Sequence, residues 1–249
     1  MPRLFPALLL ALALTAPHAH GVNYPRPTGM TKAQSFPYSM IGQLLFNNGG
    51  FDYSGSGTVV GIYGVLTAGH NLYDRFGGKS VGVRFYRGHY GSTNLSVQRA
   101  SRTYIFGGYQ TSAQRYGGNN VRTFATDLGG ARFLEPVAGG ARAGWTTDRS
   151  LLTGSTYNEV LGYGGEYPHN GERLLSAVPL RAFYRVYGAF YENNSVYVEE
   201  GMSGGPVFAR TSDGLSVAAV VVSGSRRPPA GGVRVLNSAA ADFINTYLQ

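Results

Sequence analysis

The 249-residue sequence contains no cysteine. Neither disulfides nor thiolate-bound metal can therefore hold the chain together, and side-chain packing has to. No His or carboxylate cluster has metal-ligand spacing, so neither a metal nor another cofactor is expected. Acidic residues are scarce: 13 Asp and Glu against 21 Lys and Arg give a formal charge of +8. That excess is mostly arginine and is scattered, with Arg226-Arg227 the only adjacent pair. Without a basic run or a nucleic-acid module, no nucleic-acid partner is expected, and the charge reads as a solvated basic surface. Apolar runs long enough to cross a membrane are absent too. The longest, Leu8–Leu14, follows Arg3 and precedes small and polar residues up to Gly21. That order describes a secretory signal over residues 1–19, cut near Ala16 or Ala19. Its loss removes Arg3 and leaves a charge of +7 on a chain expected to be extracellular or periplasmic, free of the membrane and monomeric.

What is abundant is glycine, with 37 residues. Residues 20–35 are polar and aperiodic, and read equally as an N-terminal arm or a short propeptide. From Phe36 onward, short Val-, Ile-, Leu-, Tyr- and Phe-rich runs alternate with Gly, Asn, Asp and Ser. Met40–Phe46, Thr58–Ile62, Val81–Tyr86, Thr103–Phe106, Val160–Tyr163, Ser195–Val198 and Val217–Val222 are the clearest. Many short strands at this spacing predict an all-β barrel or sandwich. One helix is predicted, at the end, where Ala240, Phe243, Ile244, Tyr247 and Leu248 repeat at helical spacing behind a Ser238 cap. Its apolar stripe should dock on a barrel. The glycine-rich Ala138–Gly144 is either a crossing between two halves or a surface loop within one.

A serine hydroxyl is a weak nucleophile at neutral pH and needs a neighbouring base and donors for the oxyanion it creates. Gly201-Met202-Ser203-Gly204-Gly205-Pro206 sets a serine among residues whose bare backbone can approach a reacting atom, although a plain glycine turn would read similarly. The spacing Gly201-x-Ser203-x-Gly205 also fits the nucleophile elbow of α/β-hydrolases, but there the histidine follows the serine. All five histidines here (His18, His20, His70, His89, His169) precede it. His70 ends the apolar Val65-Leu66-Thr67-Ala68-Gly69, where small neighbours can fix an imidazole; His89 and His169 lie in polar turns and are expected to be exposed. Among carboxylates, Asp127 opens a partly apolar stretch and can be drawn inward beside an imidazolium. Asp74 is four residues from His70, and Asp148, in polar surroundings, stays as the alternative. Glu199 and Glu200 are expected to be exposed at the cleft rim, biasing it toward basic substrates.

Leu66-Thr67-Ala68-Gly69-His70, Asp127-Leu128 and Gly201–Val207 resemble, in order, the three catalytic blocks of trypsin/chymotrypsin-like serine proteases. Phe36-Pro37-Tyr38-Ser39, Gly162-Tyr163-Gly164-Gly165 and the terminal helix are similar to the bacterial branch that includes glutamyl endopeptidases. The resemblance spans roughly residues 36 to 249. It implies two six-stranded antiparallel β-barrels, over residues 36–140 and 141–249, with the site between them. It further implies a secreted endopeptidase acting on protein or peptide substrates: Ser203 as nucleophile, His70 as base, Asp127 as its orienting acid, and the N–H groups of Gly201 and Ser203 as the oxyanion hole. An inactive protease-fold binding protein and an esterase using the same triad are the rival readings.

The sequence departs from that pattern in several places. Gly69 stands for the usual alanine, and Gly129-Gly130 replace bulky residues and should weaken their strand. Met202 replaces the aspartate that pairs with a freed N-terminus in zymogen-derived members, so the loop should be anchored by apolar packing. By counting, Tyr197 falls at the floor of the main specificity pocket, and Ser223, Gly224 and Ser225 fall on the strand that pairs with substrate. Glutamyl endopeptidases place a histidine at that strand; none of Val222, Ser223 or Gly224 is one, so glutamate specificity does not carry over.

Overall fold

A computed structural model describes residues 21–154 and 156–249; the predicted export signal lies outside them. Strands Ile41–Asn48 (β1) and Phe51–Val59 (β2) form a hairpin whose two loop residues, Gly49 and Gly50, both have positive φ (58° and 90°). Only glycine adopts two such residues in succession without strain, and the resulting turn matches the twist of the flanking strands. Gly64–Thr67 (β3), Val81–Arg87 (β4) and Gly129–Arg132 (β6) extend the sheet. Ser96–Arg99 and Arg102–Ile105 are two halves of one bent strand, β5. Its first half pairs with β4 and its second with β6, exchanging partners where Ala100 N donates to Val83 O and Ser101 N to Arg132 O. The order β5-β4-β1-β2-β3-β6-β5 is therefore a closed six-stranded ring without an open edge.

The chain leaves that ring after Arg132 and reaches the second sheet at Gly144, so the glycine-rich stretch is a crossing. Asn158–Gly162 (β7), Leu175–Ala177 (β8), Phe190–Asn193 (β9), Pro206–Thr211 (β10), Gly214–Arg226 (β11) and Pro229–Val235 (β12) form the antiparallel order β8-β7-β10-β11-β12-β9. Arg26–Pro27 adds to β8 and Tyr184–Tyr187 to β9. Together these are two six-stranded β-barrels with a C-terminal helix, as the family resemblance implies. Between β8 and β9, Asn193 Nδ2 donates to Arg181 O (2.6 Å) and Leu180 N to Ser195 Oγ (3.0 Å). Asn23, from the N-terminal arm, stitches the same seam through Ser195 O, Tyr197 N and Val178 O.

One predicted strand is absent, and a helix is present that the sequence did not predict. Ser195–Val198 is not a strand: Asn193 Oδ1 takes both the N–H (2.8 Å) and the hydroxyl (2.6 Å) of Ser195, bending the chain so that only Val196 makes a bridge, with Asn23. The helix Tyr109–Tyr116 (α1) was not expected, because only Tyr109 and Ala113 of it are buried and eight residues with two inward positions carry little period.

The terminal helix Ser238–Tyr247 (α2) is capped by Asn237, whose side chain accepts from Ala240 N (3.1 Å), one residue earlier than predicted. It docks on the first barrel, with Phe243 edge-on to Phe106 (5.8 Å) and Tyr247 stacked on Tyr104 (4.7 Å). Leu248 is fully buried and lies directly against Gly61, Gly64 and Gly130. Leu248→Ala should cost about 3 kcal/mol, because it removes the methyl groups packed on Gly130 and leaves a cavity over β6. The denaturation midpoint in urea, at unchanged slope, is the measurement; an unshifted midpoint would show that this docking does not stabilise the fold.

Candidate active site

His70 sits on a single 3-10 turn, Gly69–Asn71, directly after β3. Its backbone N–H donates to Asp127 Oδ1 (2.9 Å) and its ring Nδ1–H to Asp127 Oδ2 (2.7 Å), so one carboxylate fixes both the position and the tautomer of the imidazole. Asp127 is 1% exposed. Burial alone would push the His70 pKa down, but the charge of Asp127 and its hydrogen bond outweigh that and raise it above 6.5. Asp148 is elsewhere, exposed and capping Ser150 through its N–H (2.9 Å) and hydroxyl (2.6 Å).

The glycines around this pair act as spacers. A Cβ on Gly69 would stand 3.1 Å from Asp127 Oδ1 and 3.1 Å from the Tyr109 ring. On Gly129 it would meet Leu72 at 2.9 Å, and on Gly130 Leu248 at 2.5 Å. Gly129-Gly130, expected to weaken β6, instead let Leu72 and Leu248 close over the strand that follows Asp127. Behind them lies a buried cation that the sequence did not single out. Arg234 donates from Nη1 to Val235 O (2.8 Å), stacks on Phe106 (4.7 Å), and has no partner for Nε among the described residues. Burial pushes its pKa down to about 10, against the opposing pull of the Asp127 charge.

The serine loop is shaped by its own backbone. Met202 N donates to Glu199 O, Gly205 N to Met202 O, and Gly204 N to Val221 O, while Gly201 and Gly204 take positive φ (89° and 88°). At Gly204 a Cβ would collide with Ser56 O and Thr67 Oγ1, so the loop needs glycine there for space as well as for φ. Met202 is fully buried against Gly162, the apolar anchor expected. No hydrogen bond from a described residue occupies the N–H of Gly201 or of Ser203.

Ser56, on β2, ties this loop to the first barrel. Its hydroxyl donates to Gly201 O (2.8 Å) and accepts from Tyr163 N (2.8 Å), and its N–H donates to Ser203 O (2.8 Å). Thr67 Oγ1 donates to Ser56 O (2.7 Å), and Asn71 Nδ2 donates to Ser203 O (2.9 Å) and Thr67 Oγ1 (2.9 Å). His70, Gly201 and Ser203 line one cavity of about 630 Å³ with Phe46, Phe51 and Phe76. A second cavity, on the other side of His70, is lined by Val222, Ser223, Gly224 and α1. Pairing of β10 with β11 stops at Pro206–Val220, so beyond Val222 the cleft edge of β11 lacks a strand from β10.

Other expected residues are placed differently. Tyr197 reaches neither cavity: its hydroxyl donates to Glu166 Oε1 (2.6 Å) and accepts from Arg226 Nε (2.9 Å), its ring meets Tyr24, and Arg226 also pairs with Glu166. Ser225 lines neither of these two cavities, whereas Ser223 and Gly224 line the second. Glu199 is buried and bonded to His169 Nδ1 (2.9 Å), so neither is the exposed residue expected; burial raises the Glu199 pKa, opposed by His169. Glu200 alone reaches the cleft. His89 is half-buried with Nδ1 unpartnered among the described residues, and burial lowers its pKa.

No family model matches the sequence, and no curated protein sequence matches it. Solved structures do match the fold. A Glu endopeptidase superposes with TM-score 0.68 at 19% identity, over 90% of this chain and 96% of that one. The protease Anisep from Arthrobacter nicotinovorans gives 0.64 at 21% identity, over 84% and 94%. The thermostable serine protease AL20 from an extremophilic microorganism gives 0.64 at 20%, over 82% and 94%. The chain has the two-barrel fold of chymotrypsin-like serine proteases, and the Glu endopeptidase belongs to the branch its motifs resemble.

Ser56→Ala should strand Tyr163 N–H as a buried donor and release Gly201, costing about 1–3 kcal/mol. Amide exchange at Tyr163 should accelerate accordingly. Unchanged protection there would show that Ser56 does not hold the barrels together.

Proposed function

We propose that the chain is an exported serine endopeptidase working through an acyl-enzyme. The observation that carries this reading is the grip of Asp127 on both the N–H and the Nδ1 of His70, in a cavity shared with Ser203. With Nδ1 engaged, Nε2 is left to take the Ser203 proton as the hydroxyl attacks a peptide carbonyl. The developing oxyanion is received by the N–H groups of Gly201 and Ser203, aimed by a loop already closed by its own hydrogen bonds, so no reorganisation is needed at the moment of reaction. His70, now charged beside Asp127, returns the proton to the departing amine. Water then repeats the sequence to free Ser203. Cavities on both sides of His70, and the free edge of β11 that can pair with an extended backbone, favour polypeptides over small esters. Export rests on residues 1–20 and their signal-like order.

Ser203→Ala and His70→Ala should each lower turnover of a peptide substrate by about a million-fold, since nucleophile and base act as a unit. A sulfonyl fluoride should attach at Ser203. Near-normal activity of Ser203→Ala, or a label mapped to another serine, overturns the assignment; a folded protein that neither takes the label nor cleaves peptides is the inactive binding protein.

Asp127→Asn should reduce turnover about ten-thousand-fold by releasing the tautomer. It should also shift the pH profile. The base acts only when neutral, so kcat/KM falls as pH drops through the His70 pKa, which Asp127 holds above 6.5. Removing that charge leaves the lowering effect of burial, and the acid limb should move to lower pH. A limb that stays in place, measured as kcat/KM against pH, would remove Asp127 from the mechanism.

A further inference from the structure

The cavity containing Ser203 is walled by aromatic residues that nothing in the acyl chemistry requires. Phe46 stacks on Tyr53 at 6.0 Å, and Phe51 and Phe76, 69% and 83% exposed, stand at its mouth. Large aromatics left this open, grouped around one concavity, mark a surface that gains by being covered. The cup is also preformed. Asp74 Oδ1 accepts from Phe76 N (2.7 Å) and Gly77 N (2.9 Å), fixing the turn that carries Phe76. Asn48 Nδ2 donates to Gly78 O (3.0 Å) and Ser80 Oγ (3.2 Å), pinning that turn to the tip of the β1–β2 hairpin.

Which half of a substrate enters the cup follows from the cleft. On the serine endopeptidase reading the acyl half takes the free edge of β11, which borders the second cavity with Val222, Ser223 and Gly224; none of these three residues lines the aromatic cup. The cup therefore lies beyond Ser203, on the leaving-group side. The second cavity meets the cup at His70, Asp74, Phe76 and Glu200, but of the two only the cup is lined by Phe46, Phe51 and Tyr53. Tyr197 is tied up by Glu166 and Arg226, and Gly224 lies directly against the Val198 carbonyl.

Resting on the serine endopeptidase reading, we propose that this protein selects its cleavage sites mainly on the leaving-group side, through an aromatic or large aliphatic side chain within the first two residues after the scissile bond, seated among Phe46, Phe51 and Phe76. The two carboxylates bordering the cup, Asp74 and Glu200, disfavour an acidic residue there. A volume of about 630 Å³ accommodates two such side chains, within the range of pockets that enclose small ligands.

The test is acyl transfer. An ester substrate with a small leaving group loads the acyl group onto Ser203. An added amino-acid amide then competes with water: its amine nitrogen forms the new C–N bond, the Ser203 Oγ–C bond breaks, and the amine proton returns through His70 to Oγ. The ratio of aminolysis to hydrolysis reads leaving-side binding alone, independent of the overall rate. Phenylalanine amide should be captured at least about tenfold better than glycine amide, and aspartate amide worse than glycine amide. Phe76→Ala and Phe51→Ala, both at exposed positions, should each reduce the phenylalanine preference about fivefold. Mass-spectrometric mapping of a denatured protein digest should show aromatic and large aliphatic residues enriched at the first two positions after the cut. Equal capture of phenylalanine and glycine amides, or a digest whose regularity lies only before the cut, overturns the proposal while leaving the peptidase reading intact. Absence of both ester turnover and Ser203 labelling overturns that reading and the proposal with it.

Discussion

The hydrogen bonds of Ser56 set the relation between the two barrels. Its hydroxyl and amide reach Gly201, Ser203 and Tyr163, all more than 100 residues away in sequence, and its carbonyl is held by Thr67, next to the His70 turn. His70 and Ser203 come from different barrels, so their separation is only as constant as the interface. A small hydroxyl suits this place because it can donate to one backbone group and accept from another at once. The neighbouring glycines make the approach possible: without the bare Cα of Gly204, the serine loop could not lie on Ser56 and Thr67.

Without cysteine, the remaining stabilisation is apolar packing carried across the same interface. One buried cluster runs from Ile41, Leu44 and Leu66 in the first barrel through Leu161, Tyr163 and Phe208 of the second. A separate cluster, including Val160, Val196, Met202 and Val207, fills the second barrel and underlies the serine loop. Asp127 benefits from both kinds of order. The strand that follows it is roofed by Leu248, its oxygens are taken by His70, and the buried Arg234 supplies a compensating charge without which a desolvated carboxylate is costly.

The serine loop, His70 and Asp127 were legible in the sequence because each lies in a local context whose chemistry is contained within six or seven residues. The barrels were legible as short apolar runs, and the terminal helix as a clean period. What was hidden depends on distant partners. Ser56 is an unremarked serine among glycines until Gly201, 145 residues later, arrives beside it. Gly129-Gly130 read as a weakness because Leu248 is invisible from there. Tyr197 was counted to a pocket floor, but a nearby carboxylate and guanidinium claim its hydroxyl. His169 and Glu199, each polar and unremarkable alone, bury one another.

Two outlying segments are attached crosswise: Asn23 to Pro27 lie on the second barrel, whereas Phe243 to Leu248 lie on the first. Outlying segments of this kind are normally where a fold frays first. Here, peeling either segment away uncovers the seam of one barrel or the strand that follows Asp127, so fraying is coupled to the loss of the core itself. With no disulfide in the chain, these two attachments are what couples each segment to the barrel it covers.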